Sequence, residues 1–371
     1  MKVLHVSGAR SWGGNEQQLM YLIDELDKLG VEQKIFCFTG TPLFEEVKNH
    51  PVEILAMEYK KPHTSAYRKF FRNLVEQHKI DVIHLHTSDS VTGYVLTDLF
   101  YSLKTPTLFA RKGIRRKTGF LSKLKYNYRN IDKILCISKY VEKHFREILS
   151  PKNQEKLVTV YNGVKVEKIS KDADFQLREK LQLEDEIFLI GNIANHTNAK
   201  DLPVLLETIH HLVYHLDFKK VHLVQIGHFS KLTPELQQKI EELKLEPYIT
   251  MMGFLNKASA YQSQFDVFLM TSEREGGPSS VVEAFYNKAP VISTRVGVVD
   301  EVIKDGYNGF TTEIKQPREL AKKIHIFVTN PDLAEKFRER SYKMFLETFT
   351  AERLGRDTLK VYEDMLKNPL R

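Results

Sequence analysis

A chain of 371 residues, 42% hydrophobic and 11% aromatic, is about twice the usual domain length and too apolar to be disordered. No apolar run approaches the ~20 residues of a membrane span, and MKVLHVSGARSWGG at the N-terminus reaches glycine before a signal-peptide core can form. The net charge of +7 favours an anionic partner, whether nucleic acid, lipid surface or phosphorylated substrate.

The predicted elements alternate from the start. KVLHVSG is a strand, and NEQQLMYLIDELDKLG places Leu19, Leu22, Ile23 and Leu26 on one helical face before closing on glycine. QKIFCFTG, VEILAMEY, DVIHLHTS, TPTLFARKG and DKILCIS follow as strands, with helical patterns between most of them. Cys37 and Cys136 sit inside two of these apolar runs, as buried, reduced packing residues of a cytoplasmic protein. After LVTVYNGV the weakly patterned KVEKISKDAD reads as a linker, and a second series begins: IFLIGNIAN, KVHLVQIG, YITMMGFL, DVFLMTSE, APVISTRVG and GFTTEI. ERLGRDTLKVYEDML is a last amphipathic helix. The expected fold is α/β, with two Rossmann-like doubly wound parallel-sheet domains. One spans 1–163 and takes back the closing helix 350–371; the other spans 164–349. Ligands of such domains belong in a cleft at the carboxyl ends of the strands.

SEREGGPSSVVEAF, residues 272–285, falls where a strand turns into a helix on that side. Glycines admit close backbone approach and a helix N-terminus favours phosphate. Glu275 beside two glycines has no evident structural task. Glu283 has one, because Ser280-x-x-Glu283 can form a capping box. Read as carboxylates for sugar hydroxyls flanking a phosphate cradle, the segment suits a sugar nucleotide.

Glu275-x7-Glu283 followed by AFYNKAPVISTRVGVVDEVIKDGYNGF resembles the donor-site signature of glycosyltransferase family 4, retaining enzymes with the two-domain GT-B fold. SWGGNEQQL, DVIHLHTS, VYNGV and the closing helix match that family's further landmarks. The resemblance implies that the first domain binds acceptor and the second binds a nucleotide-sugar donor, UDP-sugar first and GDP-sugar second. Glu283 would hold the ribose hydroxyls and Glu275 the transferred sugar. Gly276, Gly277 and Pro278 would line the sugar, while the Ser279 and Ser280 amides reach the diphosphate. Gly253 and Phe254, ending YITMMGFL, complete the donor set. Lys200 matches the family's phosphate lysine; its alternative is a solvated residue at a helix start. Asn192 stands where an arginine is expected, which leaves His196 or Arg295 as substitute counter-charges. Gly13 and Gly14 would bring amides to phosphate or acceptor, or simply make a tight connection. His86 would contact the donor sugar near the reacting centre, and Arg111 an acidic group on the acceptor. Together His86, Lys200 and Glu275 form the expected catalytic set. The family implies retention by attack from the leaving-group face, without a carboxylate nucleophile.

RKGIRRKTGFLSKLKYNYR, residues 111–129, holds eight Lys or Arg and no Asp or Glu, interrupted by Phe120, Leu121 and Leu124. That pattern suits a solvated basic face or contact with an anionic membrane and a lipid-linked glycan acceptor, peripheral on the inner face of the plasma membrane. No nucleic-acid motif accompanies it. Two decoys remain. DAD at 172–174 imitates a metal motif but reads as the N-cap of FQLREKLQL. His211 and His215 are one helical turn apart with no third ligand in sight, so no metal and no cofactor are expected. The competing functions are a sugar-nucleotide epimerase, which needs no acceptor, a phosphorylase, which needs inorganic phosphate, and a binding module that never turns donor over.

Overall fold

The computed structural model describes residues 1–111, 118–169, 172–275 and 279–368. They fall into two compact units: Met1–Lys165 with Phe349–Arg371, and Val166–Thr348. Each is a parallel sheet with interleaved helices, as the strand–helix alternation predicts.

The first sheet comprises β1 (Lys2–Val6), β2 (Glu32–Phe38), β3 (Glu53–Met57), β4 (Val82–Leu85), β5 (Thr107–Arg111), β6 (Lys133–Cys136) and β7 (Leu157–Thr159). Their order is β3-β2-β1-β4-β5-β6-β7. Both faces are covered, so the strands are apolar rather than alternating. Leu4 and Val6 enter a core with Phe36, Tyr94 and Phe109, while Val3, on the opposite face, packs with Leu22, Val82 and Tyr362. The closing helix Ala351–Lys367 belongs to this second core. It lies so near the helix Gly14–Lys28 that a Cβ on Gly355 would come within 2.6 Å of the Glu25 Cβ. Val164 and Phe349–Ala351 are stitched by Val164 N–H donating to the Phe349 carbonyl (2.7 Å) and Ala351 N–H to that of Val164 (3.0 Å).

The second sheet comprises β8 (Phe188–Ile193), β9 (Val221–Ile226), β10 (Ile249–Gly253), β11 (Val267–Met270), β12 (Val291–Thr294) and β13 (Phe310–Thr312), in the order β10-β9-β8-β11-β12-β13. The strand order reverses between β1 and β4 in one unit and between β8 and β11 in the other. These are the topological switch points, where doubly wound sheets bind ligands.

Cys37 and Cys136 are free and buried; burial pushes the Cys37 thiol up to about 12, so it is protonated and unreactive at neutral pH. Among the described residues no helix is long and apolar enough to cross a membrane. Two local readings need correction. The helix after the linker is Leu177–Leu181 with Gln176 at its N-cap and no side-chain cap of its own. Its first amide, on Leu177, donates to Gln264 Oε1 at 2.7 Å, so a side chain distant in sequence does the task assigned to the Asp172–Asp174 run. The second correction is the helix carrying His211 and His215, which widens into a π-turn over His211–His215.

Candidate functional site

At the switch point of the second unit, the chain leaving β8 makes a short 3-10 turn, Asn198–Lys200, before the helix Leu202–His210. The chain leaving β11 runs alongside it. Glu273 N–H donates to the Ala199 carbonyl at 2.9 Å, and the Thr271 hydroxyl donates to the carbonyls of Lys200 (3.1 Å) and Asp201 (3.2 Å). This backbone splice fixes two side chains against one another. Lys200 Nζ stands 2.6 Å from Glu275 Oε1, and the Ser272 hydroxyl donates to the same oxygen at 2.8 Å. Side-chain exposure is 26% for Lys200 and 11% for Glu275, so water screens the pair only partly, and loss of either partner leaves a poorly solvated charge. Lys200 is therefore not a freely solvated lysine.

Two residues without any sequence signal of their own hold this knot. Thr294 donates to the Ser272 carbonyl at 2.6 Å. Gly297, with φ +56°, lies where a Cβ would stand 2.2 Å from the Glu275 carbonyl oxygen; only glycine fits both the left-handed backbone and the gap.

Gly276, Gly277 and Pro278 lie outside the described residues. The chain resumes in the helix Ser279–Tyr286, with Ser279 exposed and Ser280 half-buried. Gln262 Nε2 donates to the Ser280 carbonyl at 2.7 Å and so anchors this first turn. Ser280 is already helical, and among the described residues the Glu283 carboxylate accepts no hydrogen bond, so the capping box is not formed. Burial raises the Glu283 carboxyl above its ordinary value, although the residue keeps partial exposure.

Other members of the expected set are placed differently. Asn192 is buried at 1% exposure, its amide donating to the Leu269 carbonyl of β11 at 2.8 Å; it ties two strands and supplies no charge where the family's arginine would stand. His196 is buried as well, one ring nitrogen 2.8 Å from the Thr233 hydroxyl and the other 2.9 Å from Gln225 Oε1, which commits both and removes it as a counter-charge. Arg295 bonds Thr311 Oγ1 at 3.1 Å and faces Asp300 and Glu313. Gly253 has φ +70°, and after it Phe254 stacks its exposed ring on His228, centroids 4.2 Å apart.

In the first unit, His86 follows β4 at the other switch point. The IHLH alternation turns His84 and His86 to one face, beside His5 of β1. His86 Nε2 stands 3.0 Å from His5 Nδ1, and His5 Nε2 3.1 Å from Gln33 Oε1. His84 Nδ1 contacts the Tyr362 hydroxyl of the closing helix at 2.7 Å. All three imidazoles are buried. The period-2 spacing of His84 and His86 signals half of this arrangement; the partner His5, on another strand, has no local sequence signal. Gly13 caps the helix Gly14–Lys28 in extended backbone, and a Cβ on Gly14 would meet nothing within 4 Å. The connection thus does not itself demand glycine at 14. Arg111 closes β5. Of the basic stretch, residues 112–117 lie outside the described residues. In the helix Phe120–Tyr126, Phe120, Leu121 and Leu124 are 74%, 79% and 54% exposed. Lys125 instead turns inward to the Ser88 carbonyl (2.9 Å) and the Thr92 hydroxyl (3.0 Å).

Two successive doubly wound parallel sheets, each with polar residues gathered at its switch point, are the architecture of the GT-B class. A glycosyltransferase from Rickettsia africae superposes with a TM-score of 0.82 at 22% identity, covering 99% of both chains. Anabaena HepE in complex with UDP-glucose gives 0.72 at 18% identity, over 98% of this chain and 100% of that one. Residues 12–168 match the model of Glycosyltransferase Family 4, and residues 173–344 that of Glycosyl transferases group 1. The chain belongs to this glycosyltransferase family. An uncharacterized glycosyltransferase of Methanocaldococcus jannaschii is 26% identical over 82% of this chain and 84% of its own, and further relatives are named for O-antigen and lipopolysaccharide-core biosynthesis.

Proposed function

We propose that this glycosyltransferase is a retaining enzyme that moves a hexose-type sugar from a UDP-sugar to a glycan or glycolipid acceptor of a cell-surface polysaccharide. The observation that carries the reading is the Lys200–Glu275–Ser272 knot at the second switch point, with Glu283 eight positions on in the helix Ser279–Tyr286. In this reading Glu275 accepts hydrogen bonds from the hydroxyls of the transferred sugar, and Glu283 from the ribose. The exposed Phe254–His228 stack offers the base an aromatic face.

In the reaction the bond between the anomeric carbon and the diphosphate oxygen breaks, and the diphosphate keeps the electron pair. The acceptor hydroxyl forms the new bond on the same face and passes its proton to an oxygen of the departing diphosphate. Lys200 and the amides of Ser279 and Ser280 at a helix N-terminus stabilise the charge that develops on the leaving group. His86, held in orientation by His5, acts at the transferred sugar. The first unit takes the acceptor, with Gly13, Gly14 and Arg111 as its contacts. Phe120, Leu121 and Leu124 beside Lys123 meet an anionic membrane on the cytoplasmic side.

Donor binding tests the proposal. Calorimetric titration with UDP-glucose, UDP-N-acetylglucosamine and GDP-mannose should find saturable binding for a UDP-sugar, and the product anomer read by NMR should keep the donor's configuration. Absence of any nucleotide-sugar binding, or an inverted product, contradicts it.

A further inference from the structure

The second unit carries a histidine cluster that the transfer reaction does not use. In an α-helix, residues advance by about 100° each, so His215 would stack over His211 and diverge from His210. The π-turn changes this. Leu216 N–H donates to the His211 carbonyl, five residues back, at 3.0 Å, and with that wider turn residue 215 stacks between 210 and 211. Ring centroids are 4.7 Å apart for His211 and His215 and 5.5 Å for His210 and His215. One nitrogen from each of the three imidazoles lies within 4.8 Å of the others.

We propose that His210, His211 and His215 form a binding site for a divalent transition cation, Zn2+ by its preference for three imidazoles and an open position. Ligands about 2.0–2.1 Å from one ion stand roughly 3.3–4.2 Å apart. The present spacing reaches that range by rotation of side chains that are half-exposed at 210 and 211 and exposed at 215. A π-turn is a costly distortion that recurs at functional sites, and here it supplies the third ligand that α-helical spacing withholds. Glu207 lies beside His210 and His211, and Arg318 beside His211. The cluster sits at the far end of the helix Leu202–His210 from Lys200, about 13 Å along the axis. The cation therefore braces the second unit and takes no part in transfer.

The test is calorimetric titration of tag-free protein with ZnCl2 at neutral pH, alongside H210Q, H211Q, H215Q and the triple variant. One equivalent should bind to the wild type with micromolar affinity or better. Each single variant should weaken it tenfold or more, and the triple variant should abolish both that binding and the accompanying rise in Tm. Tm values measured in chelator should be equal for all variants, which separates lost ligands from lost folding. An H210Q affinity equal to wild type, an equivalent that persists in the triple variant, or no binding at all overturns the proposal.

Discussion

The two switch points solve the same topological problem with opposite chemistry. At β8/β11 the polar residues are an ion pair on loops, spliced by backbone hydrogen bonds and partly open to water. At β1/β4 they are imidazoles rooted in the strands, fully buried and bonded to Gln33 and Tyr362. The charged site suits an anionic ligand that must enter and leave, since Lys200 can exchange a carboxylate for a phosphate. The imidazole site suits positioning, since His5 and His84 fix the surroundings of the single residue, His86, that follows its strand. One sheet presents charge, and the other presents geometry.

Mutations break this comparison in order of expected effect. Glu275→Ala removes the proposed sugar acceptor and strands Lys200, so kcat with saturating donor should fall by about 10²–10³, or ~2.7–4 kcal/mol; a loss confined to KM would show that the pair only binds. Glu283→Ala should weaken donor affinity by about tenfold or more, as expected for loss of a hydrogen bond to a charged group. Gly297→Ala drives a Cβ into the Glu275 carbonyl and should cost roughly 1–3 kcal/mol in a denaturant melt, with activity falling through the displaced glutamate; unchanged stability would show that the loop yields freely. His5→Gln, behind His86, should lower kcat by about tenfold while KM for donor stays constant.

The smallest effect is a pH dependence. The folded-state value of Glu283 lies above its ordinary 4.5, so its contribution to stability is fully present below pH 4.5 and is lost as pH rises through the raised value. Tm of Glu283→Gln should therefore exceed wild type slightly at neutral pH and converge with it in acid; a constant difference would locate the effect elsewhere.

The strands were legible because most positions of the central strands are buried on both faces, which writes them as largely apolar, β-branched runs. The Glu275–Glu283 segment was legible because its spacing and glycines stand out against that background. What escaped depends on partners distant in the chain. Whether a polar residue in or just after β8 faces ligand or sheet is not written locally: Asn192 and His196 turn inward because Leu269, Gln225 and Thr233 wait for them. Gln264 caps a helix some ninety positions before it, and the π-turn at His211 looks like ordinary helix in one dimension.

The account stands most directly on Glu283, read as a nucleotide ligand rather than a residue that only stabilises its helix. Titrating wild type and Glu283→Ala with UDP-, GDP- and ADP-sugars, with Tm measured on the same samples, separates the two. The prediction is a loss of about tenfold or more in affinity for the preferred donor, at unchanged or slightly higher Tm. Undiminished affinity accompanied by a lower Tm would contradict it.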